Sequence, residues 1–178
     1  DVSRWLLNSF SASNMVHENK SIRNRILIED VPSALQHLTD ILEAMRENRV
    51  LEIEYHPFYL EESQHIQLLP YFVKLYERRW YVYGPTQENR QIKVYALDRI
   101  QRLSISGQTF RMPKGFSAEE HLATSIGITT YPDIPPRRIV IKCTGEQPQY
   151  LQALPLHHSQ EETERNDGWS LFSYYLAP

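Results

Sequence analysis

The stretch Arg78-Arg79-Trp80-Tyr81-Val82-Tyr83-Gly84 decides the fold prediction and gives the first indication of a site. Residues 79–83 are rich in aromatic and β-branched side chains, which favour a strand. The preceding dipeptide Glu77-Arg78 predicts a two-residue turn, and Gly84-Pro85 ends the strand. We therefore expect a short strand that leaves a tight turn.

The region around this strand is both aromatic and basic. Seven of the 25 residues from Tyr71 to Tyr95 are aromatic. Between Tyr71 and Arg102 there are seven Lys or Arg and three acids, in a chain whose net charge is −3. Such a concentration in a mildly acidic protein suggests a surface that holds something flat and negatively charged, while the overall charge argues against nucleic-acid binding by the whole surface.

Outward from this strand, the spacing of apolar residues predicts one helix and five strands. Residues 31–47 carry a stripe with helical spacing, formed by Leu35, Leu38, Ile41, Leu42 and Met45. Strands are predicted near 51–55, 66–76, 79–83, 91–97 and 100–106, with Pro70 at an edge position or a bulge. A helix followed by five short strands suggests a small curled antiparallel sheet or an open barrel.

The remainder of the chain predicts a linker and a second unit. Residues 107–138 are rich in glycine and proline, with one short helical piece near 118–123. A strand at 138–144, a helix near 147–154 and strands at 158–165 and 169–176 follow, with a hairpin turn at Asn166-Asp167-Gly168. Strand, helix, strand, strand is half of a ferredoxin-like split unit. The predicted fold class is therefore α+β.

Composition excludes several classes of protein. The 178 residues suffice for one domain and a small second one, and a hydrophobic fraction of 41% suits a soluble globular chain. Apolar runs are too short for a membrane span, and residues 1–30 contain no signal peptide. The single cysteine, Cys143, excludes an internal disulfide and favours a reducing, cytoplasmic setting. Because the chain begins at Asp1 rather than Met, we expect a fragment or a processed form.

The two faces of the central strand allow two interpretations. Arg79, Tyr81 and Tyr83 share one face, and Trp80 and Val82 share the other. If the tryptophan face packs toward the helix, Arg79 and Tyr81 project outward, where they can stack on bases and hold phosphates. In the alternative interpretation, Trp80 and the tyrosines are sheet core and the charged groups are simply solvated.

No pattern indicates an enzyme, a cofactor or a metal. The histidines at 56, 65, 121, 157 and 158 share no spacing that would define a metal site, and Cys143 lies in an apolar strand. Neither a glycine-rich phosphate loop nor a nucleophile elbow is present. A hydrolase with His56 or His121 as base is a third hypothesis, but no spacing supports it.

Four segments, in order, resemble the WYL-domain family. Trp80-Tyr81-Val82 resembles its Trp-Tyr-Leu signature, and 93–100 resembles its Arg-x-Phe-x-Leu-Asp-Arg-Ile segment. Leu51-x-Ile53-x-Tyr55 and Leu69-Pro70-Tyr71 resemble its first strands. The likeness covers residues 48–115, and residues 137–178 resemble the start of the extension that usually follows.

This resemblance implies an Sm-like or SH3-like β-barrel. It also implies a bacterial transcriptional regulator whose WYL domain senses a ligand, often a nucleic acid or nucleotide. In such regulators a winged helix-turn-helix lies N-terminal to the WYL domain. Residues 1–30 contain no recognisable recognition helix, so the DNA-binding head is expected to be absent from this chain. Lys93 replaces the family's arginine, which keeps the charge and loses the forked hydrogen bonds.

We therefore predict four segments: a helical connector and helix at 1–47, a WYL barrel at 48–115, a linker at 116–136 and a partial extension at 137–178.

The predicted ligand-binding residues are Tyr55, Arg79, Tyr81, Lys93, Tyr95 and Arg99. The tyrosines at 81 and 95 would stack, the three cations would hold an anion, Trp80 would anchor the core and Asp98 would orient Arg99. Expected partners are a nucleotide or single-stranded nucleic acid and a second copy of the chain, with duplex DNA bound only through a missing N-terminal domain. A stand-alone single-stranded RNA-binding module is the alternative.

Overall fold

The computed structural model describes residues 35–177. The predicted connector at 1–30 and the start of the predicted helix lie outside this part. Three helices are described: α1 (Leu35–Glu47), α2 (Ala118–His121) and α3 (Gln147–Ala153). The described strands are β1 (Arg49–Tyr55), β2 (Gln64–Leu68), β3 (Phe72–Tyr76), β4 (Arg79–Gly84), β5 (Lys93–Ala96), β6 (Ile100–Thr109), β7 (Arg137–Thr144), β8 (Glu161–Asn166) and β9 (Trp169–Leu176).

Helix α1 covers the first sheet with its apolar stripe. Ile41 and Ala44 are fully buried, and Leu38 and Met45 pack beside them. The helix ends at Asn48, whose φ of 51° places it in the left-handed region that asparagine tolerates better than most residues. The chain therefore turns directly from α1 into β1, and the predicted helix is confirmed over its described residues.

The WYL-like half of the chain contains two antiparallel sheets of three strands, in the orders β2-β1-β6 and β3-β4-β5. The predicted long strand at 66–76 is divided into β2 and β3 around Pro70, because proline cannot donate to the ladder. Glu77 and Arg78 have φ values of 45° and 65°, which is the geometry of a tight turn between β3 and β4. The predicted turn at this dipeptide is confirmed.

Hydrogen bonds join the two sheets, but the strands described in residues 35–177 do not form a closed barrel. Leu69 donates its N–H to the carbonyl of Pro85 at 2.9 Å, and Tyr71 donates to Tyr83 at 2.8 Å. A single bridge also pairs Leu68 with Thr86. A 3-10 turn at Leu97–Arg99 then leads from β5 into β6. Mixed helix and antiparallel sheet is therefore confirmed, but strand pairing alone does not close the predicted barrel.

Strand β4 is covered on both faces. Trp80 and Val82 pack with α1 and the first sheet, as predicted for the face that carries the core anchor. Tyr81 and Tyr83 belong to a second core with Phe72 and Ala96. Residues from the segment predicted as a linker, namely Phe116, Ala118, Leu122 and Ile128, pack against this second core. That segment therefore forms a layer over β3-β4-β5.

The C-terminal extension, here residues 137–177, forms a third sheet in the order β7-β9-β8 with α3 beside it. The central position of the last strand is the arrangement expected for half of a ferredoxin-like unit. The hairpin turn before Trp169 contains Gly168 at φ 79°, so this predicted turn is confirmed. Ala177 donates its N–H to the carbonyl of Thr124 at 2.9 Å, which ties the extension to the layer over the second core. Within residues 35–177 no helix has the length and apolarity needed to cross a membrane.

Candidate functional site

Arg99 lies in the 3-10 turn between β5 and β6, against a loop that follows β1. Its guanidinium carbon lies 4.0 Å from the centroid of the Phe58 ring, which is a cation–π stack. The carbonyl of Arg99 accepts a hydrogen bond from the N–H of His56 at 3.0 Å, so the turn and the loop are fixed to each other. The side-chain Nε of Arg99 is buried and has no hydrogen-bond partner in the described part of the chain.

The loop opposite Arg99 carries two exposed aromatic rings that sequence reasoning missed. Phe58 is 71% exposed and Tyr59 is 82% exposed. Rings of this size are usually buried in a monomeric protein, and their exposure is typical of a binding surface. The signal in the sequence was Pro57-Phe58-Tyr59, an aromatic pair in an otherwise polar loop.

Arg79 enters the same area from the start of β4. Its side chain is 41% exposed, and its Nε lies 3.7 Å from the Oδ2 of Asp98. The structure thus pairs Asp98 with Arg79, whereas the sequence predicted that Asp98 orients Arg99. We call the surface formed by Phe58, Tyr59, Arg79, Asp98 and Arg99 the loop patch; it has one net positive charge.

The three tyrosines of the predicted site do not offer exposed rings. Tyr55, Tyr81 and Tyr95 are 7%, 8% and 6% exposed. The expectation that Tyr81 projects outward is wrong, because the segment around Phe116 covers that face of β4. Stacking of a ligand on the face of Tyr81 or Tyr95 would require this packing to open.

Tyr55 and Tyr95 instead support the sheet beneath the loop patch. Their rings meet edge to face at 5.2 Å between centroids, and the Tyr55 hydroxyl accepts a hydrogen bond from the N–H of Ala96 at 3.3 Å. Burial, with smaller effects from Tyr55 and Tyr59, raises the pKa of Tyr95 to about 12. The Tyr95 hydroxyl therefore stays protonated at neutral pH and acts only as a neutral hydrogen-bonding group.

Lys93 and Tyr95 line a groove of about 1310 Å³ beside the first sheet. Its walls also carry Glu52, Glu54, His65 and Arg102, so the charges in it are mixed. Arg102 already lies 3.6 Å from the Glu54 carboxylate. The predicted site residues are thus divided: Lys93 and Tyr95 line the groove, Arg79 and Arg99 belong to the loop patch, and Tyr55 and Tyr81 are core residues.

The histidines offer no metal centre in the described residues, where no suitable group of three or more His, Cys, Asp or Glu is present. The Nδ1 of His56 lies 3.4 Å from the Ser63 hydroxyl, which itself donates to Gln101 at 2.8 Å. His121 packs its ring against Phe72 and Phe116. Neither arrangement resembles a base that activates a nucleophile.

Residues 36–105 match the family model of the WYL domain, as the motifs of this region predicted. The match suggests a regulatory, ligand-sensing domain. Among solved structures, Proteasome accessory factor B/C (PafBC) of Arthrobacter aurescens is similar at 17% identity and a TM-score of 0.43. That similarity covers 84% of this chain and only 22% of the other, so the chain spans about a fifth of that protein's length. No curated protein matches the chain.

Proposed function

We propose that this chain is the effector-sensing and oligomerisation portion of a transcriptional regulator, and that the loop patch binds a nucleotide, a single-stranded nucleic acid or another anionic ligand. The observation that carries the proposal is the stack of Arg99 on the exposed ring of Phe58. Planar guanidinium and aromatic groups are the surfaces on which bases stack without sequence preference.

The charges of the loop patch suit the phosphate of such a ligand. The Arg79–Asp98 contact is 3.7 Å long and the arginine is 41% exposed, so water screens the pair and it contributes little to stability. A phosphate can replace Asp98 as the partner of Arg79 with little loss of stability, because the forked guanidinium matches phosphate oxygens. Lys93, which is exposed and lines the groove, would supply a third cation to a ligand that extends beyond the loop patch.

The proposed regulator also has an expected architecture. The two joined sheets would be an open form of the Sm-like barrel, and duplex DNA would be read by a domain outside this chain. A second copy of the chain would complete the regulator, since transcription factors commonly read two half-sites as dimers. Light scattering coupled to size-exclusion chromatography tests the dimer directly.

Fluorescence anisotropy tests whether the chain binds single-stranded nucleic acid. The probe is a labelled oligonucleotide of about eight nucleotides, a site size usual for small β-domains. We expect weak binding that decreases as salt increases. Arg99→Ala and Phe58→Ala should each weaken binding by about tenfold, the cost of one lost stack or charge-assisted contact.

Arg46→Ala is the matched control. Arg46 lies near the end of α1 and is 72% exposed, so the change removes the same charge. Arg46 precedes β1, whereas Phe58 and Tyr59 of the loop patch follow it, and the seven residues of this strand span about 20 Å. Equal binding by the Arg99 and Arg46 variants would contradict the loop patch as the site. Binding of RNA but not of DNA or nucleotides would favour the stand-alone RNA-binding module.

A further inference from the structure

A second cavity has a volume of about 920 Å³, and none of the loop patch residues lines it. Lys74 and Tyr76 of β3 form one wall, residues 119–127 form another, and residues 155–158 of the C-terminal extension form the third. None of the predicted site residues lines it. The cavity therefore joins the sensing domain to the extension and is separate from the proposed effector site.

His157 and Ser125 are the two buried polar residues of this cavity, with 9% and 8% exposure. The backbone N–H of Ser159 donates to the Nδ1 of His157 at 3.2 Å, and the Ser159 hydroxyl lies 2.8 Å from the same atom. That hydroxyl oxygen already accepts from the N–H of Tyr175 at 3.0 Å, which leaves its hydrogen for Nδ1. Since a backbone N–H can only donate, Nδ1 is an acceptor and the ring hydrogen is on Nε2.

The Nε2–H of His157 is an unused donor. It is buried and has no hydrogen-bond partner in the described part of the chain. Burial, together with His158 and Lys74, lowers the pKa of His157, which keeps the ring neutral at pH 7. A buried donor without a partner costs free energy, and a ligand oxygen beside the ring would recover that cost.

Lys74 provides a positive charge on the β3 wall of the cavity. Its ammonium donates to the carbonyl of Gly127 at 2.5 Å and lies 5.4 Å from the centre of the Tyr76 ring. An ammonium has three hydrogens, so one hydrogen bond leaves two for a ligand. Lys74 and His157 both line the cavity, so each can offer a donor to a ligand that fills it.

The cavity lining also carries apolar side chains. Ile126 is 50% exposed and Leu156 is 57% exposed, and Leu122 lines the cavity with them. Glu119 and Glu120 are exposed at the α2 side, where water screens their charge. Adjacent apolar surface and two donors are the usual composition of a small-molecule site.

We propose that this cavity binds a small amphipathic carboxylate. Its carboxylate accepts hydrogen bonds from His157 Nε2 and Lys74 Nζ, and its apolar body covers Ile126 and Leu156. Such a ligand contacts β3 and the extension at once, so its binding couples the position of the extension to the sensing domain.

The test uses 4-phenylbutyrate as probe and its uncharged amide as the matched ligand control, with binding measured by calorimetry on the whole chain. The carboxylate should bind at least about tenfold more tightly than the amide, because only the anion forms charge-assisted hydrogen bonds. Lys74→Met, which keeps the length of the side chain, should remove that preference. Lys142→Met is the control variant, since Lys142 lies over Trp169 on the third sheet and outside the cavity.

A second measurement does not depend on any variant. Imidazole NMR of the unmodified protein should show a shift of the His157 Nε2 signal on addition of the carboxylate, with the His65 signal unchanged. Equal affinity for the carboxylate and the amide, or no shift of His157, overturns the proposal. Competition between the probe and the single-stranded oligonucleotide would also overturn it, because one site would then explain both ligands.

Discussion

The guanidinium of Arg99 and the ring of Phe58 lie in a stack 4.0 Å apart, at the junction of the 3-10 turn and the loop after β1. The stack holds the arginine side chain against a ring that is 71% exposed. A side chain held in this way loses little additional freedom when a base or phosphate binds. Because this relationship depends on the shape of the guanidinium and not only on its charge, it can be tested by a charge-conserving substitution.

Arg99→Lys should weaken oligonucleotide binding nearly as much as Arg99→Ala, by about fivefold or more. A lysine keeps the positive charge but has no planar group to stack and no forked donors. Fluorescence anisotropy at two salt concentrations measures the effect. Retention of full affinity by Arg99→Lys would mean that the site uses charge alone.

The sequence predicted the elements of this fold better than it predicted their exposure. The alternation along 79–83 correctly separated the Trp80 and Val82 face from the tyrosine face. It did not reveal that both faces are buried, because the covering residues lie about 30 to 50 positions later in a segment with linker composition. Strand periodicity identifies which residues share a face, and only tertiary contacts decide whether that face is covered.

The residues of the loop patch were only partly predictable, because tertiary contacts bring them together. Arg79 and Arg99 were predicted as candidates because clustered cations are visible in the sequence. Phe58 and Tyr59 were missed because an isolated aromatic pair in a loop has no periodicity, and its position depends on where the β1–β2 connection folds. The assignment of ligand contacts to all six predicted residues stays a prediction: Tyr55, Arg79, Tyr81, Lys93, Tyr95 and Arg99.

Gly84→Ala should destabilise the WYL domain by about 3 kcal/mol, at the upper end of the cost of overpacking. A Cβ at this position would lie 1.8 Å from the carbonyl oxygen of Leu69, where β4 passes close to the end of β2. The obstacle is backbone, so no side-chain rotation can relieve it. Chemical denaturation measures the loss.

Gly107→Ala is the control for this effect. Gly107 lies within β6, and a Cβ there meets no atom within 4 Å. Alanine should therefore be neutral or slightly stabilising, by up to about 0.5 to 1 kcal/mol, since it loses less backbone freedom on folding. If both variants lose the same stability, the close approach at Gly84 is not the cause.

Tyr83→Phe should destabilise the protein by about 1 to 2 kcal/mol, the cost of a lost hydrogen bond whose partner stays buried. The Tyr83 hydroxyl donates to the carbonyl of Ile128 at 2.8 Å, and its ring stacks on Phe72 at 4.3 Å between centroids. The hydrogen bond fixes the covering segment over the second core. Tyr175→Phe makes the same change at a ring that is 53% exposed, and denaturation should show a difference under about 0.5 kcal/mol there. Equal losses of stability in the two variants would contradict the proposal that the Tyr83 hydrogen bond holds the covering segment.

His121 makes the stability of the second core dependent on pH. Burial lowers its pKa below the ordinary value of 6.5, and its Nε2 has no hydrogen-bond partner within residues 35–177. The folded protein therefore binds a proton at His121 less readily than the unfolded chain does. The contribution of a neutral His121 is fully present above about pH 6.5 and is lost as the pH falls toward the lowered folded-state value.

Thermal unfolding measured between about pH 7 and pH 5 tests this dependence, in a window above the range in which carboxylates ordinarily titrate. The unmodified protein should lose stability as the pH decreases, and His121→Gln should show a smaller loss because its side chain cannot be protonated. The absolute stability of this variant is not the readout, so a general cost of the substitution does not affect the comparison. His65→Gln makes the same change at an exposed position of β2 and should keep the slope of the unmodified protein. Parallel slopes for all three proteins would show that the buried ring of His121 does not set the pH response, and His157, whose pKa is lowered in the same direction, would then be the group to substitute next.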